Sequence, residues 1–181
     1  IERGDPALRR SQAIDLFLKE RGLDPESNIQ FGLGGAGTFS DGKLNTGTKN
    51  PAHRLILDTF VEAGAPRDIL WDAKPHIGSD LLPTVVTNIS QRIERLGGVV
   101  RYRTKLVDIR ADASGAIAGI DVQTSQHAAT EQITTKHLIL ACGHSARDVF
   151  ELLEDHNVAL AQKTFAMGVR IEHPQRDIVQ I

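Results

Sequence analysis

The chain has 181 residues, enough for one domain with a sizeable core. Hydrophobic residues make up 40% and charged residues 24%, ordinary values for a globular protein, and the formal net charge of −2 argues against a general nucleic-acid or anionic-membrane partner. No apolar run approaches the ~20 residues that a membrane helix needs. A single cysteine, Cys142, cannot form an internal disulfide, which fits a cytoplasmic setting.

Residues 7–21 carry apolar side chains at Ala13, Ile14, Leu16, Phe17 and Leu18, which predicts a helix closed by Gly22. Residues 23–49 read mostly as loop, and ordered loops of such length are usually functional. Asn50 and Pro51 supply a cap and a first-turn proline for a helix with Leu55, Ile56, Phe60 and Val61 on its apolar face, ended by Gly64. A short helix is expected over 66–72. Ser79 is placed to cap a longer one running to Leu96, with Pro83 in its first turns and Leu82, Val85, Val86, Ile89 and Ile93 as its buried stripe. Gly97 and Gly98 stop it. Strands are expected over 99–109, 116–124 and 131–135, with a turn at 112–115 between the first two.

The run His137-Leu138-Ile139-Leu140-Ala141-Cys142-Gly143 is apolar without a period of 2 or 3.6. It predicts a central strand over 138–141 buried on both faces, with Gly143 at its carboxyl end, where ligands of open α/β sheets bind. Ser145 then caps a helix to Asp155, and residues 164–172 read as a last strand.

The densest functional signal is Gly34-Gly35-Ala36-Gly37-Thr38-Phe39-Ser40-Asp41-Gly42-Lys43. Four glycines in this stretch let main-chain N–H groups approach an anion. Gly32, Gly34 and Gly37 spell G-x-G-x-x-G, but neither the preceding strand nor the following helix that the dinucleotide fingerprint needs is evident. Gly37, Gly42 and Lys43 spell G-x-x-x-x-G-K, yet Leu44 stands where a P-loop has Ser or Thr. Lys43 reads either as a neutraliser of pyrophosphate or reduced flavin, or as a solvated loop lysine. Asp41 reads as a partner for a ribityl hydroxyl or as an Asx-turn residue. Glu2 is either a ribose-binding carboxylate or an exposed terminal residue. His76 and His144, each beside a glycine, are either structural or turned toward a ligand. Cys142 reads as a small residue without a partner thiol.

These segments carry a family resemblance. Ile1-Glu2-Arg3-Gly4, Asp24 to Gly32, Gly34 to Leu44, Phe60 to Pro66, Lys74-Pro75-His76-Ile77-Gly78, Gly143 to Asp148 and Gly168 to Pro174 resemble the uncharacterised FAD-dependent dehydrogenases of bacteria, within the flavoproteins that have two dinucleotide-binding domains. Leu33 and Cys142 depart from that pattern. The resemblance implies an α/β fold: a partial FAD/NAD(P)-binding, Rossmann-like domain over 1–163 with a small antiparallel meander, and the start of a truncated substrate or cap domain over 164–181. It also implies that the chain is an internal fragment lacking the N-terminal βαβ glycine fingerprint and the C-terminal part.

With the glycine stretch, the resemblance gives a cofactor site of Glu2, Arg3, Gly34, Gly35, Ala36, Gly37, Thr38, Ser40, Asp41, Gly42, Lys43, Leu106, Ala141, Cys142, Gly143 and His144. The main chain of Leu106 is expected to meet the adenine. The expected cofactor is FAD, with NAD(P)H a possible reductant, no metal, and an unknown small-molecule substrate. Catalytic residues and oligomeric state stay unassigned. Flavin enzymes leave the hydride or electron chemistry to the cofactor, so no catalytic triad is required. The expected function is FAD-dependent oxidoreduction. The alternatives are an FAD-binding module or modifying enzyme of other chemistry, or an inert piece with no independent activity; this chain alone is expected to bind FAD weakly or not at all.

Overall fold

The computed structural model describes residues 1–39, 42–44, 50–124, 127–169 and 171–175. These form a mixed α/β structure with four α-helices and one small antiparallel sheet. Helix α1 spans Ala7–Glu20, α2 Ala52–Glu62, α3 Leu82–Arg95 and α4 Arg147–Asp155. Strands β1 (Thr104–Ala111), β2 (Ile117–Thr124) and β3 (His127–Thr134) pair in the order β1-β2-β3. No described helix is long and apolar enough to cross a membrane.

Helix α1 buries Ala7, Arg10 and Ile14, spaced for one face, while the expected Leu16 and Leu18 lie outside. It ends at Glu20, two residues before Gly22, with Arg21 in the left-handed region (φ 62°). Arg10 is the unexpected member of this face. Its side chain is fully buried and donates to four backbone carbonyls: Nε to Asn28 (2.7 Å), Nη2 to Ile29 (2.7 Å), and Nη1 to Leu33 (2.9 Å) and Gly32 (3.3 Å). The guanidinium also lies over the Phe39 ring, 4.8 Å from its centroid. Burial pulls it down to about 10, opposed by the charge of Glu2, so it stays cationic at neutral pH.

This grip organises the 24–33 loop, which has no regular secondary structure. Its backbone donors are met by side chains: Asp24 Oδ1 accepts from the N–H groups of Glu26 and Ser27, and Asn28 Oδ1 from those of Gln30 and Phe31. Gly32 must be glycine here. Its φ is +123°, and a Cβ would sit 2.4 Å from Arg10 Cδ. Gly4 crosses it so closely that a Cβ there would lie 2.7 Å from Gly32 Cα.

Helix α2 starts as expected, with Asn50 Oδ1 accepting from the Ala52 N–H at 2.8 Å. Leu57, Phe60 and Val61 pack inward, whereas Leu55 and Ile56 are exposed, so the apolar face is rotated from the expected one. A 3₁₀ turn at Arg67–Leu70 brings Ile69 into a core with Ala63, Ala65, Ile77, Leu82 and Val85. Ser79 does not cap α3, which begins at Leu82 without a side-chain cap bond.

In the sheet, β1 starts five residues later than the expected Val99 and β3 four residues earlier than the expected Glu131, while β2 and the 112–115 turn fall as expected. Residues 2–4 run beside 101–104, with Glu2 N–H donating to Arg101 O, Arg103 N–H to Gly4 O and Thr104 N–H to Glu2 O.

Two expected strands are corrected. Residues 138–141 pair with no described strand, and Ile139 is 91% exposed. A strand buried on both faces needs a neighbour on each edge and a layer on each face. Here residues 2–4 already occupy the head of β1, and all pairing in the described sheet is antiparallel. The described part of 164–172 is likewise outside any strand, with Phe165, Met167 and Val169 turned to solvent. The described strands therefore include no Rossmann-like parallel sheet.

Substituting Arg10→Met strips four carbonyls of their donor at once. We expect a loss of about 3 kcal/mol or more. Thermal unfolding followed by circular dichroism should show a drop of roughly 6–12 °C for a domain of this size. Arg10→Lys, with a point charge in place of the fork, should fall between the two proteins. An unchanged melting temperature for Arg10→Met would show that the guanidinium does not hold the loop.

Candidate functional site

A cavity of about 210 Å³ opens where residues 1–3, the head of β1, the 138–142 segment and the first turn of α4 converge. Glu2, Arg3, Leu106, Ala141 and Cys142 all line it, although they come from three distant parts of the chain. Phe31, Thr104, Lys105, Ala146 and Val149 are among the other residues of its wall, and sequence reasoning placed none of them in the site.

Glu2 is not merely an exposed end. Its Oε1 accepts from the N–H of Gly4 (2.8 Å) and of Gly32 (3.0 Å), which ties the N-terminal segment to the 24–33 loop. Arg3 lies over the Phe31 ring at 4.4 Å. Its fork meets Asp148 through Nη1–Oδ1 (3.2 Å) and Nη2–Oδ2 (2.6 Å), and its Nε donates to Glu26 Oε2 at 3.0 Å. Lys105 Nζ reaches Asp148 Oδ2 at 2.7 Å. Burial raises the Asp148 carboxyl, but hydrogen bonds from Arg3 and Lys105 and their charges outweigh it and hold the group at about 2. Burial likewise works against the charged form of Arg3, and its carboxylate partners, Asp148 foremost, override it to raise the group. The pair joins residues 145 apart in sequence, so no local pattern announces it. Arg3 is thus committed to a structural network at the rim of the cavity.

The glycine stretch lies elsewhere and lines no part of this cavity among its described residues. Its glycines have two different uses. Gly34 (φ 84°) has no room for a side chain, since a Cβ would meet Thr38 Oγ1 at 2.2 Å; that hydroxyl donates to Leu33 O. A Cβ on Gly42 (φ 64°) would press on Leu82 Cδ1 at 2.6 Å. Gly35 and Gly37, by contrast, face open space. Ala36–Phe39 forms a 3₁₀ turn that carries Phe39 over Arg10. Ser40 and Asp41 lie outside the described residues. Lys43 is exposed and pairs with His76 in an antiparallel bridge, which joins two residues singled out separately in the sequence.

Beyond the cavity, Gly143 takes φ 72° with nothing near its missing Cβ. His144 is exposed, with Nε2 3.4 Å from Ser145 Oγ. Ser145 does not cap α4; its hydroxyl donates to Gln30 Oε1 at 3.2 Å. Cys142 is half-buried in the cavity wall.

No family model matches the chain. An uncharacterized protein of Clostridium beijerinckii (strain ATCC 51743 / NCIMB 8052) is 45% identical over 174 residues. The match takes in 96% of this chain, and the chain spans 31% of the length of that curated relative. These findings overturn the assignment to the FAD-dependent dehydrogenases: no such family's model matches, and the relative carries no assigned activity. The reading of the chain as an internal fragment of one of those flavoproteins falls with it.

Asp148 gives the network a pH signature. Its folded value of about 2 lies below the ordinary ~3.9 of an aspartate, so its stabilisation is complete above about pH 4 and is lost as pH falls toward 2. A third of the side chain is solvent-exposed, which limits the effect to about 1 kcal/mol. Urea unfolding of wild type and Asp148→Asn should differ by that amount at neutral pH and converge as the pH is lowered through this window. A difference that persists unchanged at the acid end would exclude the ion pairs as its source.

Proposed function

We propose that the cavity at the head of β1 holds the nucleoside end of a nucleotide cofactor, with FAD as that cofactor and flavin-linked oxidoreduction as the chemistry served. The observation that carries this reading is the convergence of Glu2, Leu106, Ala141 and Cys142 on one cavity from separate parts of the chain. Leu106, Leu138 and Val149 offer apolar wall to a flat base, and the second oxygen of Glu2 can accept from a ribose hydroxyl. Arg3 and Lys105 stand at the rim, but Asp148 and Glu26 pair with them and balance their charge, so the cavity itself offers a nucleoside site and no phosphate anchor.

At about 210 Å³ the cavity is below the ~300–1,000 Å³ of sites that enclose whole drug-sized ligands. It fits a nucleoside rather than a dinucleotide, so a pyrophosphate and flavin would extend outside it. The open faces of Gly35, Gly37 and Gly143 suit that role. The cofactor would supply the hydride or electron chemistry, and the chain would supply position and polarity. NAD(P)H as reductant belongs to the same proposal. The reading rests on the cavity and stands without a Rossmann-like sheet or a family assignment.

Calorimetric titration separates the two ends of the cofactor. AMP and FAD should bind weakly and compete, while FMN should not bind. Ala141→Phe should abolish AMP binding by filling the space, and the exposed position of Ala141 leaves the fold intact. Binding of FMN in place of AMP, or AMP affinity unchanged in Ala141→Phe, would sink the assignment of this cavity.

A second titration tests the glycine stretch. A Cβ at Gly37 meets nothing within 4 Å among the described residues, so the melting temperature of Gly37→Val should stay close to that of the wild type. If the flavin end passes this loop, the variant should weaken FAD binding several-fold and leave AMP untouched. Equal loss for both ligands, or none, would remove the loop from the site.

A further inference from the structure

We propose that a second cavity, between residues 42–44 and the 74–80 loop, binds a small phosphorylated molecule that also carries hydroxyl groups. This inference stands independently of the nucleotide reading, because the two cavities share no lining residue. The second is the larger, about 430 Å³, within the range of small-molecule sites. It is lined by Lys43, Lys74, His76, Ser79 and Asp80, with Pro75 and Gly78 completing the wall.

The cavity is built on paired backbone. Leu44 N–H donates to Pro75 O at 2.9 Å and Ile77 N–H to Gly42 O at 3.2 Å, flanking the bridge between Lys43 and His76. Directly opposed residues of an antiparallel pair bring their Cβ atoms within about 5.5 Å of each other, so the lysine and the imidazole share one side of the site. Ile77 anchors this pair in the main core, and Gly42 packs against Leu82 so tightly that no side chain fits. The chain thus fixes where these polar groups emerge.

The chemistry of the lining selects the ligand. Two lysines, an imidazole and a hydroxyl supply cationic and neutral donors around one space, with no arginine fork to favour a planar carboxylate. That set suits the several acceptor oxygens of a phosphate. Asp80 is the odd member, since a carboxylate repels phosphate. Its Oδ1 folds back toward Gly78, where a Cβ would lie 2.5 Å away. Placed at the edge of a cationic cavity, it can accept from a ligand hydroxyl, which a bare phosphate does not offer. An open cavity with exposed polar lining and a single acidic member, in a chain of net charge −2, does not match the basic stripe that a nucleic acid requires.

The test is a titration of ¹⁵N-labelled protein at constant ionic strength with ribose 5-phosphate, inorganic phosphate and ribose. The two phosphates should give saturable amide shifts at 43–44 and 76–80, and ribose alone none. Ribose 5-phosphate should bind roughly fivefold tighter than inorganic phosphate, the worth of one net hydrogen bond. Lys74→Gln should weaken both phosphates about tenfold, as removal of a charge-assisted contact does. Asp80→Ala, which removes the acceptor, should erase the advantage of ribose 5-phosphate without weakening inorganic phosphate. Ala141→Phe, which fills the other cavity, should leave every one of these values unchanged, so that failure here and failure of the nucleotide reading are read separately. Lys43 and Lys74 are exposed, and circular dichroism of their variants should match wild type. Non-saturating shifts spread over all lysines, equal binding by ribose, or affinity unchanged in Lys43→Gln/Lys74→Gln would each overturn the proposal.

Discussion

Arg10 carries a positive charge into the interior and satisfies it with the carbonyls of a single loop. Much of the N-terminal structure depends on that arrangement. An irregular loop has no ladder to bond its backbone, and buried carbonyls without donors are costly. One guanidinium meets four of them and sets the loop's curvature at the same time. The geometry then dictates neighbours: Gly32 must lack a side chain to pass over the arginine, and Gly4 must lack one to pass over Gly32. Glu2, hydrogen-bonded to both of these glycines, completes the stack.

The first cavity is a consequence of this stack. By fixing residues 2–4 against 101–104, it brings the N-terminal segment to the head of β1. A second set of charges then draws in α4. Asp148 takes Arg3 and Lys105 at its first turn, and His156 just past its other end meets Asp108 of β1 at 2.6 Å. Arg103 adds a further tie by pairing with both Asp5 and Asp24. None of these pairs is individually strong at a partly exposed position. As a connected network they define the spacing between elements that otherwise share little apolar surface, and the cavity is the space they leave.

The glycine stretch shows why a composition signal and a structural role need not coincide. Glycine is required at 34 and 42 by crowding from within the protein, a need that calls for no ligand. At 35 and 37 a Cβ meets nothing within 4 Å; Gly35 still needs glycine for its left-handed backbone (φ 64°), while crowding places no such demand on Gly37. The stretch as a whole therefore belongs partly to packing, partly to surface, and at its Lys43 end to the second cavity.

Helices α1, α2 and α3, the meander and the tight turn at 112–115 were legible from the sequence, because each rests on local patterns: apolar spacing, a capping Asn50, a first-turn Pro83 and Asp112 folding back on its own turn. The inward rotation of α2, the burial of Arg10 and the fate of 138–141 were not. An apolar run states only that its side chains prefer cover, and whether it becomes a strand depends on an edge being free to receive it. Of the candidate site, Glu2, Arg3, Leu106, Ala141 and Cys142 met in one cavity, while the glycine stretch stood apart. The sequence by itself determined which segments coil into helices and where the chain turns, since those interactions act over a few residues. Tertiary structure decided which charges pair and which residues share a cavity, since contacts such as Arg3 with Asp148 join positions 145 residues apart and depend on every element between them.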